Sequence, residues 1–163
     1  MRKFIILAMV ALTGCATGYK PQGLMSGGFE ETELEPGYFR VTFKGNEATS
    51  KERATDFALL RASDLMMQKG CSAFKVVSQA DNSRSSALFL PQTQSTTASA
   101  TAVGNAAFGS ATTSSYGGGM VGIVFPRISL DVKCSTDTPN LEQHIYDTKF
   151  INQSLKTKYK VSQ

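Results

Sequence analysis

Histidine is nearly missing from these 163 residues: His144 is the only one, and it lies close to the C-terminus. A Ser-His-Asp or Cys-His arrangement would have to use it, and nothing around it supports that role. Nucleophile-elbow glycines, a His-Glu-x-x-His pair and cysteines at zinc spacing are also absent. That leaves carboxylates as the remaining catalytic candidates. Asp56, Asp64 and Asp81 read as helix or turn residues. Glu30, Glu31, Glu33 and Glu35 lack the Asp, Asn and Gly loop of a calcium cage and read as a polar strand face or edge. The chain is therefore expected to be non-enzymatic, with no metal and no cofactor.

Long apolar runs are absent too. A membrane-spanning helix needs roughly 20 apolar residues, and the run from Phe4 to Leu12 falls well short of that. Placed after Arg2 and Lys3 and before small residues, it has the form of a secretory signal peptide covering residues 1–14. Leu12-Thr13-Gly14-Cys15 resembles the bacterial lipobox. That resemblance implies cleavage before Cys15, diacylglycerol on its thiol and a further acyl chain on the new amine. One acyl chain binds a bilayer only marginally, whereas several hold firmly. By the sorting rule of Gram-negative envelopes, Ala16 rather than Asp after the cysteine implies the outer membrane, on the periplasmic side.

Charge is sparse and balanced. Without Arg2 and Lys3 the remaining chain has 15 basic and 13 acidic side chains, a net charge of +2. No basic face stands out beyond Lys149, Lys156, Lys158 and Lys160, so a nucleic-acid partner is not expected. Besides Cys15 the chain has Cys71 and Cys134. In an oxidising compartment this even pair points to one disulfide, the alternative being two free buried thiols.

Residues 15–28, small and polar after the cysteine, read as a flexible tether, which fully extended would reach about 40–45 Å. Phe29 to Leu34 and Tyr38 to Lys44 read as a hairpin around Glu35-Pro36-Gly37, since proline presets the first turn position and glycine accepts the positive φ that follows. Phe39, Val41 and Phe43 alternate with polar neighbours, which predicts a half-buried strand. Thr49-Ser50-Lys51-Glu52 has the spacing of a capping box, with Thr49 as the cap. Ala54, Phe57, Ala58, Ala62 and Leu65 then share a helical face, and Gly70 ends the helix. Arg61 falls inside that apolar sector.

Cys71 to Gln79, with Phe74, Val76 and Val77, reads as a buried strand. Residues 82–119, rich in Ser, Thr, Ala and Gly, read chiefly as a long flexible insertion, with a pair of extended segments as the alternative. Glycines from Gly117 to Gly122 match a dinucleotide-binding spacing but lack the strand before and helix after that it needs. Arg127 to Cys134 alternates cleanly. Paired antiparallel with residues 72–79, it would bring Cys134 beside Cys71. Leu141, Ile145, Ile151 and Leu155 fit a C-terminal helical stripe with Asp147 as a late cap, and 158–163 reads as a tail. The expected fold is α+β: a small, mostly antiparallel sheet with a C-terminal helix, formed as one domain by 29–81 and 120–157.

The motifs Gly37-Tyr38-Phe39-Arg40-Val41-Thr42-Phe43-Lys44-Gly45-Asn46, Thr49-Ser50-Lys51-Glu52-Arg53 and Ala58-Leu59-Leu60-Arg61-Ala62 resemble those of a family of short, uncharacterised Gram-negative outer-membrane lipoproteins. Tyr146-Asp147 with Ile151 and Leu155 is similar to that family's closing motif. The resemblance implies a lipid-anchored envelope protein and brings no catalytic residues. This chain departs from the family pattern in its Ser/Thr/Ala-rich insertion and in having Cys71 and Cys134.

The expected function is a binding or structural module on the membrane, with an envelope protein or cell-wall component as partner and Asn46 and Arg61 as candidate contacts. The alternatives are a stress sensor or assembly factor with a redox-sensitive Cys71–Cys134 bridge, and a carboxylate-based hydrolase.

Overall fold

The computed structural model describes residues 16–24, 26–103 and 106–161. The signal peptide 1–14 and Cys15 lie outside the described residues. The described residues form two compact units, one of those up to Arg84 and from Phe125 onward, the other of those within Ser85–Val124.

The first unit is α+β, as the residue pattern implies. Strands β1 (Gly28–Glu35) and β2 (Tyr38–Lys44) form the expected hairpin, and Gly37 takes φ +77° in its turn. Helix α1 (Lys51–Gln68) follows. Its cap is Ser50, whose hydroxyl accepts from the Arg53 amide at 3.1 Å, and not Thr49. The Thr49 hydroxyl is engaged instead with the Asn46 and Thr17 segment. At the other end the Cys71 amide donates to the Met66 carbonyl and the Gly70 amide to Met67, with Gly70 left-handed at φ +76°. This arrangement satisfies carbonyls that the helix end would leave open.

Strand β3 (Ala73–Asp81) leads into the second unit through β4 (Arg84–Val103), and β5 (Ala106–Phe125) leads back to β6 (Arg127–Ser135). A short 3-10 turn, Leu141–Gln143, precedes β7 (Ile145–Asp147) and α2 (Thr148–Tyr159). The sheet order is β1-β2-β6-β3-β7, with every pairing antiparallel. Both neighbours of β6 are antiparallel to it, so β2 and β3 run parallel with β6 between them. A bulge between Val76 and Ser78 leaves Val77 exposed, unlike Phe74 and Val76.

The core lies between one sheet face and the helices. Phe29, Phe39, Val41, Phe43, Phe74, Val76, Ile128, Leu130 and Val132 of the sheet meet Ala54, Phe57, Ala58, Leu60, Ala62, Leu65 and Met66 of α1 and Leu155 of α2. The expected C-terminal stripe divides: Leu141 is exposed, Ile145 is buried in β7, and the helix itself starts only at Thr148. Asp147 caps it as expected, accepting from the Phe150 amide at 2.7 Å. The helix also runs further than the expected boundary of the tail, and Tyr159 packs its ring 4.8 Å from that of Phe57.

Where it is described, the expected flexible tether is docked instead. Thr17 is 8% exposed, and its amide donates to Asn46 Oδ1 at 3.2 Å and Thr49 Oγ1 at 3.0 Å. The Tyr19 ring lies 4.8 Å from Phe29 and 5.6 Å from Phe57, and its hydroxyl donates to Asp64. The Phe29 amide donates to the Lys20 carbonyl, and Gln22 to Phe29, both at 2.8 Å. Small polar composition suggests a linker, but here Thr17 and Tyr19 each find a specific partner.

Asp64 joins this segment to both helices, accepting from Asn152 Nδ2 at 2.7 Å and pairing with Lys156 Nζ at 3.1 Å. Burial pushes the Asp64 carboxyl up, but hydrogen bonds from Tyr19, Asn152 and Lys156 outweigh it and hold the group below its ordinary value of 3.8. Its stabilising contribution is therefore complete above that ordinary value and fades as pH falls through the lowered one. In thermal melts carried downward from about pH 5, Asp64→Asn should show a shallower acid loss than the parent chain. Parallel acid limbs would contradict this role.

The second unit is a two-stranded ribbon, β4 against β5. Of the 82–119 segment, expected to be chiefly flexible, residues 84–103 and 106–119 are thus extended and paired, and the pairing continues through Phe125. Thr96 Oγ1 meets Thr113 Oγ1 at 3.0 Å and Ser99 Oγ meets Ser110 Oγ at 3.2 Å across the strands. Threonine suits a pleated surface, and each strand satisfies the backbone polar groups of the other. Gly117, Gly118 and Gly119 all take positive φ, and the first two lie against Pro91 and Gln92. Pro91 has no amide to donate, so the irregularity falls where the ladder is already incomplete.

Candidate functional site

The helices cover one sheet face, and strand alternation sends the remaining side chains to the other. Register builds rows across this open face: Thr32, Arg40, Asp131 and Ser78 form one, and Glu30, Thr42, Ser129 and Ala80 the next. Lys44 and Arg127 stand opposite each other beyond them. Together with Asn82, members of these rows line a polar cleft of about 310 Å³.

Arg40 and Asp131 form a two-pronged pair, Nε to Oδ1 at 2.7 Å and Nη2 to Oδ2 at 2.8 Å. This geometry fixes both groups more firmly than a single contact would. Asp131 is buried while Arg40 remains half exposed, and the pairing raises the guanidinium's pKa through hydrogen bonding and then charge. Thr42 and Ser129, both buried, share a hydroxyl–hydroxyl bond of 2.9 Å. Glu30 lies 3.6 Å from Lys44 Nζ and 3.5 Å from Arg127 Nη2. The cleft carboxylates are thus each matched by a cation. Among the described residues buried Arg127 Nε finds no hydrogen-bond partner, although buried donors are nearly always satisfied.

The residues singled out from sequence fall elsewhere. Cys71 and Cys134 are joined by a disulfide with their Cα atoms 5.6 Å apart, and β3 and β6 pair antiparallel so that Cys134 faces Phe74. Asn46 receives the Thr17 amide and the Thr49 hydroxyl. Arg61 binds Glu31 through two bonds of 2.9 and 2.6 Å and lies over the Phe29 ring at 4.5 Å. Both side chains hold parts of the domain together. His144 is exposed in a left-handed corner after the 3-10 turn and does not line the cleft.

Among the described residues no group of three or more His, Cys, Asp or Glu side chains is placed to hold a metal ion, and no helix is long and apolar enough to cross a membrane. The cleft was only half visible in the sequence. Alternation marks Arg40, Thr42, Ser129 and Asp131 as outward-facing, but nothing local indicates that β2 and β6 are neighbours.

Structure and site therefore define an α+β domain, a five-stranded antiparallel sheet with helices on one face and a charge-paired polar cleft on the other. Comparisons with protein-family models, with curated proteins and with solved structures found no match.

Proposed function

We propose that this is a lipid-anchored envelope protein, acylated at Cys15, held at the outer membrane on its periplasmic side, and acting as a non-enzymatic binding module. One observation carries the binding reading: the buried, unpartnered Arg127 Nε in a polar cleft. It calls for an acceptor that no described residue supplies. The hydroxyls and amide around it suit a hydroxylated ligand bearing a carboxylate or carbonyl oxygen, the chemistry of cell-wall disaccharide peptides. The paired state of Glu30 and Asp131 favours binding over acid–base catalysis.

Titrating such fragments into the chain from Ala16 onward should move amide resonances of Thr42, Ser129 and Arg127. A hydrogen bond to a charged group contributes about 1.5–3 kcal/mol, so Arg127→Ala should weaken binding roughly ten-fold or more. Unmoved resonances on this face would sink the cleft reading. Acyl labelling with a Cys15→Ala control tests the anchor separately. A second reading, a redox-sensitive element, is favoured by the exposure of Cys134.

A further inference from the structure

The docked N-terminal segment changes what a lipid on Cys15 would do. A lipid on Cys15 would be joined to Thr17 through Ala16 alone, a reach of roughly 8 Å at about 3.8 Å per residue. Thr17 is fixed by Asn46 and Thr49 in the loop between β2 and α1. The acyl chains would therefore emerge at a defined place on the domain, with almost no reach to let it stand away from a bilayer.

That place is one end of the sheet. Gly28 opens β1 there opposite Lys44, which closes β2. Lys44 faces Arg127, the start of β6, and Ile128 faces Asp81, the end of β3. The Gly45 amide donates to the Pro126 carbonyl at 2.8 Å, linking the neighbouring loops. The segment before β1 returns to the same end. The Ser26 amide donates to the Gly23 carbonyl, and Gly27 lies so close to the Lys44 carbonyl and the Thr17 side chain that no larger residue fits. Leu24, next to Gly23, is fully exposed, and exposed Lys20 precedes it.

An exposed leucine alone means little, since single apolar side chains on surfaces are common. Its position beside the anchor point gives it meaning.

The geometry points to this end of the sheet as a bilayer-contact surface, with Leu24 entering the same phospholipid leaflet that holds the acyl chains. This rests on the proposed lipidation. It deepens that reading by fixing the orientation of the domain: the β1–β2 turn at Pro36-Gly37 points away from the membrane, and the polar cleft is oriented sideways along it.

The test uses the full acylated protein in vesicles of phosphatidylethanolamine and phosphatidylglycerol. With Cys15 acylated and Cys71 bonded to Cys134, a newly introduced cysteine is the one free thiol. Leu24→Cys and Glu35→Cys, at opposite ends of the sheet, each receive an environment-sensitive fluorophore. The Leu24→Cys probe should shift its emission to the blue and lose intensity to a lipid-borne quencher, whereas the Glu35→Cys probe should do neither. If the protein floats with the vesicles but both probes report water, the anchor reading stands and the contact surface is overturned. Failure to float overturns both.

Discussion

Phe57→Ala is expected to cost about 3–5 kcal/mol of folding stability, the range for removing a buried aromatic side chain. Phe57 is 1% exposed, and its ring centroid lies 5.1 Å from Phe43, 5.6 Å from Tyr19 and 4.8 Å from Tyr159. Those rings come from the sheet, the N-terminal segment and the C-terminal helix, while Phe57 itself is on α1. Alanine would leave a void bordered by all of them, and the Arg53 guanidinium, 5.1 Å above the ring, would lose its aromatic neighbour. Domains of this size are usually stable by about 5–15 kcal/mol, so a large part of the total is at risk. Urea denaturation should show a much lower midpoint with an unchanged slope. Phe150, 68% exposed, is the control, and its alanine variant should stay within about 0.5 kcal/mol of the parent. A loss at Phe57 no larger than at Phe150 would contradict its central position.

Breaking the Cys71–Cys134 bridge is expected to have an effect of similar size by a different route. The bridge separates residues 63 positions apart, and the chain-entropy model gives about 4 kcal/mol for closing a loop of that length. It ties the segment just after α1 to β6, the middle strand of the five, so the constraint acts on the centre of the sheet. Denaturation midpoints of the Cys71→Ser, Cys134→Ser double variant, and of the parent chain with and without reductant, measure the effect. Both reduced forms should lose up to that amount and agree with each other. If reduction leaves the midpoint unchanged, the bridge has no energetic consequence and the redox-sensitive reading loses its premise.

Where local chemistry decides structure, the sequence was readable. Pro36-Gly37 specified a turn that its backbone then adopted, the alternation in Arg127 to Cys134 described β6, and the pairing expected of β6 with β3 placed the two cysteines together. Where partners are distant, it was not. Arg40 and Asp131 are 91 residues apart, and their pairing depends on β6 inserting beside β2. The N-terminal segment looked like a linker because composition records neither the pocket that receives Tyr19 nor the acceptors that receive the Thr17 amide. The ribbon was ambiguous for another reason. With small side chains and no core of its own, β4 and β5 are held by ladder bonds that every sequence carries, so no side-chain pattern announces them. Leu141 joined the predicted stripe by spacing alone, but the chain turns at His144 before the helix begins.

The position of β6 also has a consequence for the order of assembly. β2 and β3 do not touch as a pair; each is hydrogen-bonded to β6, which follows the ribbon in the chain. When the polypeptide emerges N-terminus first, β1, β2, α1 and β3 are all available while the slot between β2 and β3 is still vacant. Phe43, Val41, Phe74 and Val76 then have α1 on one side but no central strand to close the layer. The sheet can only be completed after residues 127–135 arrive, which follow the whole ribbon in the chain. A chain truncated before that point would keep the hairpin and the first helix, yet would leave open the edges of β2 and β3 that β6 pairs in the finished domain.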